Sequence, residues 1–277
     1  ARSQRWHRAN QPRPGTDLRP PRLASRAHPA RREVPPRHHR LADRDAAALT
    51  RATEALCRDG VDAHAEVLDV TDRDAVRLAI ERCAARHGHL DFVFNNAGIG
   101  IGGELRDMQP DDWRRVMEVN FFGVVHGVDA AYPLMIRQGH GHIVNVASVA
   151  GLIPMPGESI YVASKHAVVG LTKSLRGEAT HYGVKVSLVC PGLVETPIYD
   201  TSPIVGFDKG RALALWPKGI SPEVCAAELL RGVDKNQAVI VVTPLARALD
   251  RVQRLSPRLF LGITELYMGR LRKTRSS

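Results

Sequence analysis

Apolar and polar positions fall into a regular period only from Leu41 onward. "DRDAAALTRATEALCRDG" (43–60) carries an Ala/Leu face at helical spacing with a stop at Gly60, which predicts a helix. "VDAHAEVLDV" (61–70) predicts a strand ending at Asp69, and "DRDAVRLAIERCAARHG" (72–88) a second amphipathic helix. "LDFVFNNAG" (90–98) is an apolar strand running into a turn. A long helix follows over 111–136, then a strand (141–148), a helix (159–183), a strand (184–192), a helix (221–236) and a strand (238–244). These strands are continuous apolar runs with little in–out alternation. That pattern predicts an α/β fold: one doubly wound parallel sheet with helices on both faces, spanning 41–244. The Leu- and Arg-rich tail, 245–277, predicts one or two amphipathic helices broken near Pro257. They are expected to pack on the body or on a partner subunit.

Residues 1–40 follow no such period. They hold seven prolines, one glycine (Gly15) and three large aliphatics (Leu18, Leu23, Val34). The prolines rule out a continuous strand or helix, so the segment is expected to be disordered. It carries eleven Arg against two acids, a net +9, so only +1 of the chain's +10 belongs to the other 237 residues. A basic arm of this kind can bind nucleic acid non-specifically, but it contains no reading motif for a specific site. The four cysteines (Cys57, Cys83, Cys190, Cys225) show no CxxC or metal spacing. They predict a reduced, cytoplasmic protein without a metal site. No continuous apolar run approaches the ~20 residues of a membrane span.

Five short stretches carry candidate chemistry. Tyr161 and Lys165 lie four apart on a predicted helix, on one face. A nearby ammonium favours the phenolate, and a tyrosine tuned in this way serves as a general acid or base. A solvated lysine beside a half-buried tyrosine has the same spacing. Ser148 ends a buried strand, where open α/β sheets place their ligands; a helix cap is the alternative role. "NNAG" (95–98) brings small residues to another strand end. Asn120, within "MEVNFFG", is an amide among apolar neighbours that needs partners, either as a helix-distorting site or as a core hydrogen bond. "PGLVET" (191–196) follows a strand, with Thr196 able to point into the crevice.

Taken together, "NNAG", "VNFFG", "NVAS", "YVASK" and "PGLVET", in this order and at these separations, resemble the short-chain dehydrogenase/reductase family. The resemblance covers Leu41 to about Pro244 and leaves out the tail. It implies a Rossmann-like domain and an oxidoreductase moving a hydride between a nicotinamide cofactor and an alcohol or ketone. Tyr161 would exchange the proton and Lys165 would lower its pKa and hold the ribose. Ser148 would polarise the substrate oxygen, and Asn120 would position a relaying water. Asn96, Ala97 and Gly98 would line the adenosine side, with Asp69 facing the adenine. Pro191, Gly192, Val194 and Thr196 would hold the nicotinamide end. Asp43 matches the acid that bonds the ribose 2′-hydroxyl and repels a 2′-phosphate, which favours NAD over NADP. Residues 198–220, including Trp216, fall where the family keeps a substrate lid. Members assemble as homodimers or homotetramers through helices matching 111–136 and 159–183.

The family's opening does not fit this chain. An apolar first strand, a TGxxxGxG turn, a helix and a second strand should precede Asp43, and none is recognisable. Arg, Pro, Ala and His enrichment is what GC-rich coding DNA gives out of frame. Residues 1 to about 40 are therefore expected to be a frame-shifted form of that unit. Two other functions stay open beside the enzyme: a catalytically impaired relative that cannot hold NAD for want of the Gly-rich loop, and a nucleic-acid binder acting through the basic arm.

Overall fold

The apolar runs at the middle of the chain pair as the centre of a parallel sheet. In the computed structural model, which describes residues 38–275, the elements in chain order begin with β1 (His38–Asp43), α1 (Ala46–Arg58), β2 (Asp62–Val67), α2 (Arg73–His87) and β3 (Phe92–Asn95). Then come β4 (Gly102–Gly103), α3 (Pro110–Met117), α4 (Gly123–Gln138), β5 (Gly141–Val146), α5 (Ser159–Ala179) and β6 (Val184–Pro191). The remainder is α6 (Ile198–Thr201), β7 (Ile204–Val205), α7 (Lys209–Leu213), α8 (Pro222–Asp234), β8 (Val239–Val242), α9 (Pro244–Leu255) and α10 (Pro257–Arg272). The main sheet has the order β3-β5-β6-β8, all parallel. Val124, Val128, Ala131 and Met135 of α4 meet Ile143, Val186 and Leu188 of the sheet in one buried cluster. On the other face Val144, Val189 and Val242 pack with Cys225 and Val233 of α8. Both faces are covered at β5 and β6, which is why those strands read as unbroken apolar runs, while Phe92 and Phe94 of β3 stay exposed.

The Arg/Pro-rich segment 1–37 lies outside the described residues, together with the expectations of disorder, a frame shift and an arm that binds nucleic acid. Its last three positions need correction. Residues 38–40 are not loop but the start of β1, which pairs with β2 in parallel over six residues each. "HHRLAD" was missed because it has one large aliphatic. It is held instead by the backbone ladder and by charge: Glu66 accepts from Arg40 and Arg82, and Asp62 from His38. Cross-strand pairs of this kind stabilise a ladder without an apolar face. Among the described residues β1–β2 and the main sheet share no backbone ladder.

The helix expected over 111–136 is interrupted. A π-helical turn at Glu118–Phe122 separates α3 from α4 and widens the helix at the buried Asn120. The 110–138 stretch is long and apolar enough to cross a bilayer by length and composition, although its α4 face is spent on the sheet. The tail forms two helices that meet at Ser256, each with Pro at its first turn and a hydroxyl cap, Thr243 and Ser256. Phe260 packs under Val149 and Ile153, and Leu271 against Phe207 and Ala212, so the tail rests on the body.

Candidate active site

Strands β5 and β6 end side by side, and the helix after β5 brings its first two turns over them. Ser148 lies two residues past β5 in extended backbone and accepts from the Ala150 N–H (3.2 Å). Its hydroxyl lies near enough to the Tyr161 phenol on α5 to favour the ionised phenol. Lys165, one turn further on, is 3 % exposed, and its Nζ donates to the Val146 carbonyl (3.2 Å). That ammonium lies 5.6 Å from the centroid of the Tyr161 ring. The i, i+4 spacing therefore does place both groups at one strand end, with Ser148 as the third member.

The electrostatics differ from the expectation. Burial pushes the Tyr161 phenol well above its ordinary value; the Ser148 hydroxyl opposes this and the Glu158 carboxylate adds to it. The Lys165 ammonium lies over the Tyr161 ring. Burial in turn brings Lys165 down to about 8. A phenol in this environment keeps its proton near neutral pH.

Asn120 uses its whole amide. Its Oδ1 accepts from the Ile99 N–H (2.8 Å), and its Nδ2 donates to the Ile99 carbonyl (2.9 Å) and to the Ser164 hydroxyl (3.0 Å). The π turn thus clamps the strand-end turn to α5, and the core hydrogen-bond role is realised. Gly98 fits closely between these groups: a Cβ there would lie 3.3 Å from Lys165 Nζ and 3.4 Å from Asn120 Oδ1. Beneath them runs a polar chain that the sequence reading missed. Asn95 donates to Asn145 (2.8 Å), and Asn145 donates to Thr172 (3.0 Å). The matched positions of two asparagines on neighbouring strands were the available signal.

The remaining candidates spread around this centre. Asn96 and Ala97 are exposed at the end of β3, and Gly98 is half-buried. Asp43 ends β1, exposed, and accepts from the Asp45 N–H (2.9 Å), while Asp45 itself caps α1. Asp69 follows β2; hydrogen bonds from the backbone and hydroxyl of Thr71 hold its carboxyl below the usual range. Pro191, Gly192 and Thr196 are half-buried past β6. Val194 is different: its side chain packs in the core with Val144 and Val189 and its backbone bridges to Ile220, so only backbone is left for a ligand. Thr243 at φ +83 touches this turn, since a Cβ on Gly192 would lie 2.4 Å from its Oγ1.

Two acids, Glu158 and Glu104, and two aromatics, Tyr199 and Tyr267, were also missed. Glu158 begins α5 one turn before Tyr161, and burial pushes it up to about 7. The Tyr199 and Trp216 rings meet edge to face at 5.6 Å, and Trp216 Nε1 donates to the Tyr267 hydroxyl (2.8 Å). The 198–216 segment is thereby fixed to α10. Arg272 and Arg275 hold the buried Glu104 (2.6 and 3.0 Å), and Arg275 also reaches Asp107 (2.9 Å). The i, i−3 spacing would have flagged Glu158; a contact spanning 168 residues leaves no local pattern.

The sequence pattern of the short chain dehydrogenase family matches residues 36–203. A short chain dehydrogenase/reductase from Burkholderia phymatum, solved in complex with NAD, is 32% identical with a TM-score of 0.69, over 79% of this chain and 85% of that one. A gluconate 5-dehydrogenase from Burkholderia cenocepacia, solved with NADP and tartrate, is 29% identical with a TM-score of 0.63, over 76% and 85%. The dehydrogenase/reductase SDR family member 7B of Bos taurus is 32% identical over 86% of this chain and 74% of its own length. The chain belongs to the short-chain dehydrogenase/reductase family. By family it is an NAD(P)-dependent oxidoreductase with a Rossmann-like α/β fold.

The described residues fit a nicotinamide cofactor at two of its three parts. The close-fitting cradle at Gly98, beside the Lys165 ammonium, suits a ribose, and the acid at the end of β1 suits the adenosine ribose. A glycine-rich turn for the pyrophosphate is not found among the described residues.

Proposed function

We propose that the chain interconverts an alcohol and a ketone, with Tyr161 passing the proton at the substrate oxygen. The gathering of Ser148, Tyr161 and the buried Lys165 at one strand end, with the Lys165 ammonium 5.6 Å from the Tyr161 ring centroid, is the observation that carries this reading. The cofactor supplies or accepts the hydride when bound. In reduction the Tyr161 hydroxyl donates its proton to the oxygen that becomes the alcohol, and in oxidation the flow reverses. Ser148 hydrogen-bonds that oxygen and holds it against Tyr161. Lys165 balances the phenolate charge and bonds the nicotinamide ribose. Asn120 fixes the turn carrying Asn96, Ala97 and Gly98, which with Asp69 line the adenosine side. Pro191, Gly192, the Val194 backbone and Thr196 hold the carboxamide end. Asp43 bonds the 2′-hydroxyl and repels a 2′-phosphate, which favours NAD over NADP. Tyr199, Trp216 and Tyr267 make an aromatic wall suited to an apolar substrate. The chain works as a dimer or tetramer through α4 and α5. Tyr161→Phe lowers turnover by about 10²–10⁴-fold and leaves NADH binding within a few-fold of the parent, by kinetics and fluorescence titration. Near-normal turnover in that variant overturns the role given to Tyr161.

A second reading has its own observation. A Gly-rich turn is how this architecture brings backbone N–H groups to the pyrophosphate, and none is found among the described residues. On this reading the chain is an impaired relative that keeps Tyr161 and Lys165 without holding NAD. Saturable micromolar binding of NADH to the purified protein would overturn it.

A further inference from the structure

Helix α10 turns one face to the body and carries a second apolar stripe on its flank. Its inner face is formed by Phe260, Thr264, Tyr267 and Leu271, all buried or half-buried. On the flank Leu259, Ile263 and Leu266 follow at i, i+4 and i+7, about a quarter-turn from that face, with Leu255 one turn earlier at the end of α9. Two of them are the most exposed large hydrophobic side chains among the described residues, Leu255 at 86% and Leu266 at 73%, and Leu259 is 59% exposed. Isolated exposed leucines are common, but a contiguous stripe marks a docking surface. The charges around it are nearly all of one sign. Arg258 and Arg270 are exposed on the same helix and Lys273 at its end, with Glu265 the exposed acid of α10, and Arg251 lies one turn before Leu255 on α9; Arg254 and Arg272 are paired with Asp250 and Glu104.

We propose that the apolar flank of α10, with the end of α9, rests on an anionic lipid surface. Leucines flanked by arginines are the chemistry of an interfacial helix, in which apolar side chains enter the acyl boundary and cations meet the headgroups. A second copy of the chain fits less well, because it would set cation against cation across the stripe. A bilayer supplies both the apolar depth and the negative charge. The inner face of the same helix carries Tyr267, which bonds Trp216 in the wall of the proposed site. The membrane-resting helix and the substrate wall are one element. The lipid proposal does not depend on the catalytic reading and is tested without turnover.

The full chain is floated with vesicles of phosphatidylcholine alone and of phosphatidylcholine with about a third phosphatidylserine. Binding is expected only to the mixed vesicles. Leu255→Ser, Leu259→Ser and Leu266→Ser combined is expected to weaken it at least about tenfold, with an unchanged melting curve because the three side chains are exposed. This variant keeps the eleven arginines of residues 1–40, so binding due to that segment alone would survive the substitutions and overturn the proposal. Failure of the parent chain to float with the mixed vesicles also overturns it. So does a parent dimer that dissociates in the leucine variant, which would assign the stripe to a second copy.

Discussion

Strands β5 and β6 bury nearly every side chain, whereas β1 and β2 leave most of theirs exposed or half-exposed. The first pair carries Ser148 and Pro191 at its ends and has helices on both faces. The second carries Asp43 and Asp69, and its side chains are held by carboxylates and arginines. On the proposed function, the proton-transfer end of the site stands on a packed core, and the adenosine end on a two-stranded ladder. Burial fixes side chains to within a rotamer, while exposed ion pairs add little each. The two ends are therefore expected to differ in stability as well as in composition.

Native-state hydrogen exchange is the broadest way to break that comparison. Amides of β5 and β6 are expected to exchange at least about 10³-fold more slowly than those of β1, which opens locally. Equal protection would show that the two ladders unfold as one. Asn120→Leu strikes the rigid end: it leaves the Ile99 N–H and carbonyl without partners, at a cost of about 2–4 kcal/mol in urea unfolding. His142 offers a pH handle on the same end. It is buried, and burial brings its pKa down to about 4. Ser187 gives its own proton to the Gln237 carbonyl, so His142 donates from a neutral ring. The unfolded chain binds that proton near pH 6.5 and the folded chain does not. Stability is complete above pH 6.5 and falls as the pH drops toward 4, by about 2–3 kcal/mol, and His142→Gln flattens the slope. The smallest effect belongs to the charged ladder. Glu66→Gln loosens Arg40 and Arg82 and is expected to cost under about 1 kcal/mol, read as a shift in the urea midpoint.

The same contrast explains what could be read from the chain. β5, β6 and α5 are legible because burial on both faces writes long apolar runs and because Ser148, Tyr161 and Lys165 sit at local spacings. β1 is not, since a strand held by ladder bonds and ion pairs can carry almost any side chain, even "HHRLAD". The π turn left a trace only as a polar residue in an apolar stretch. Glu158 was visible at i−3 from Tyr161 but was not singled out, because a lone glutamate at a helix start is ordinary. Tyr267 and Glu104 could not be read at all: their partners lie 51 and 168 residues away.

The clamp between Glu104 and Arg272 has a consequence for how the protein is born. During synthesis Glu104 has its neighbour Arg106 as a partner but meets Arg272 only after 168 further residues are added, and domains emerge from the N-terminal side first. The sheet has all its strands by Val242, yet the aromatic wall cannot close until the final helical turn is released. Long-range contacts of this kind form late. The last event in maturation is thus the docking of α10 on the 198–216 segment, on a nucleus that has already set Ser148, Tyr161 and Lys165 in place.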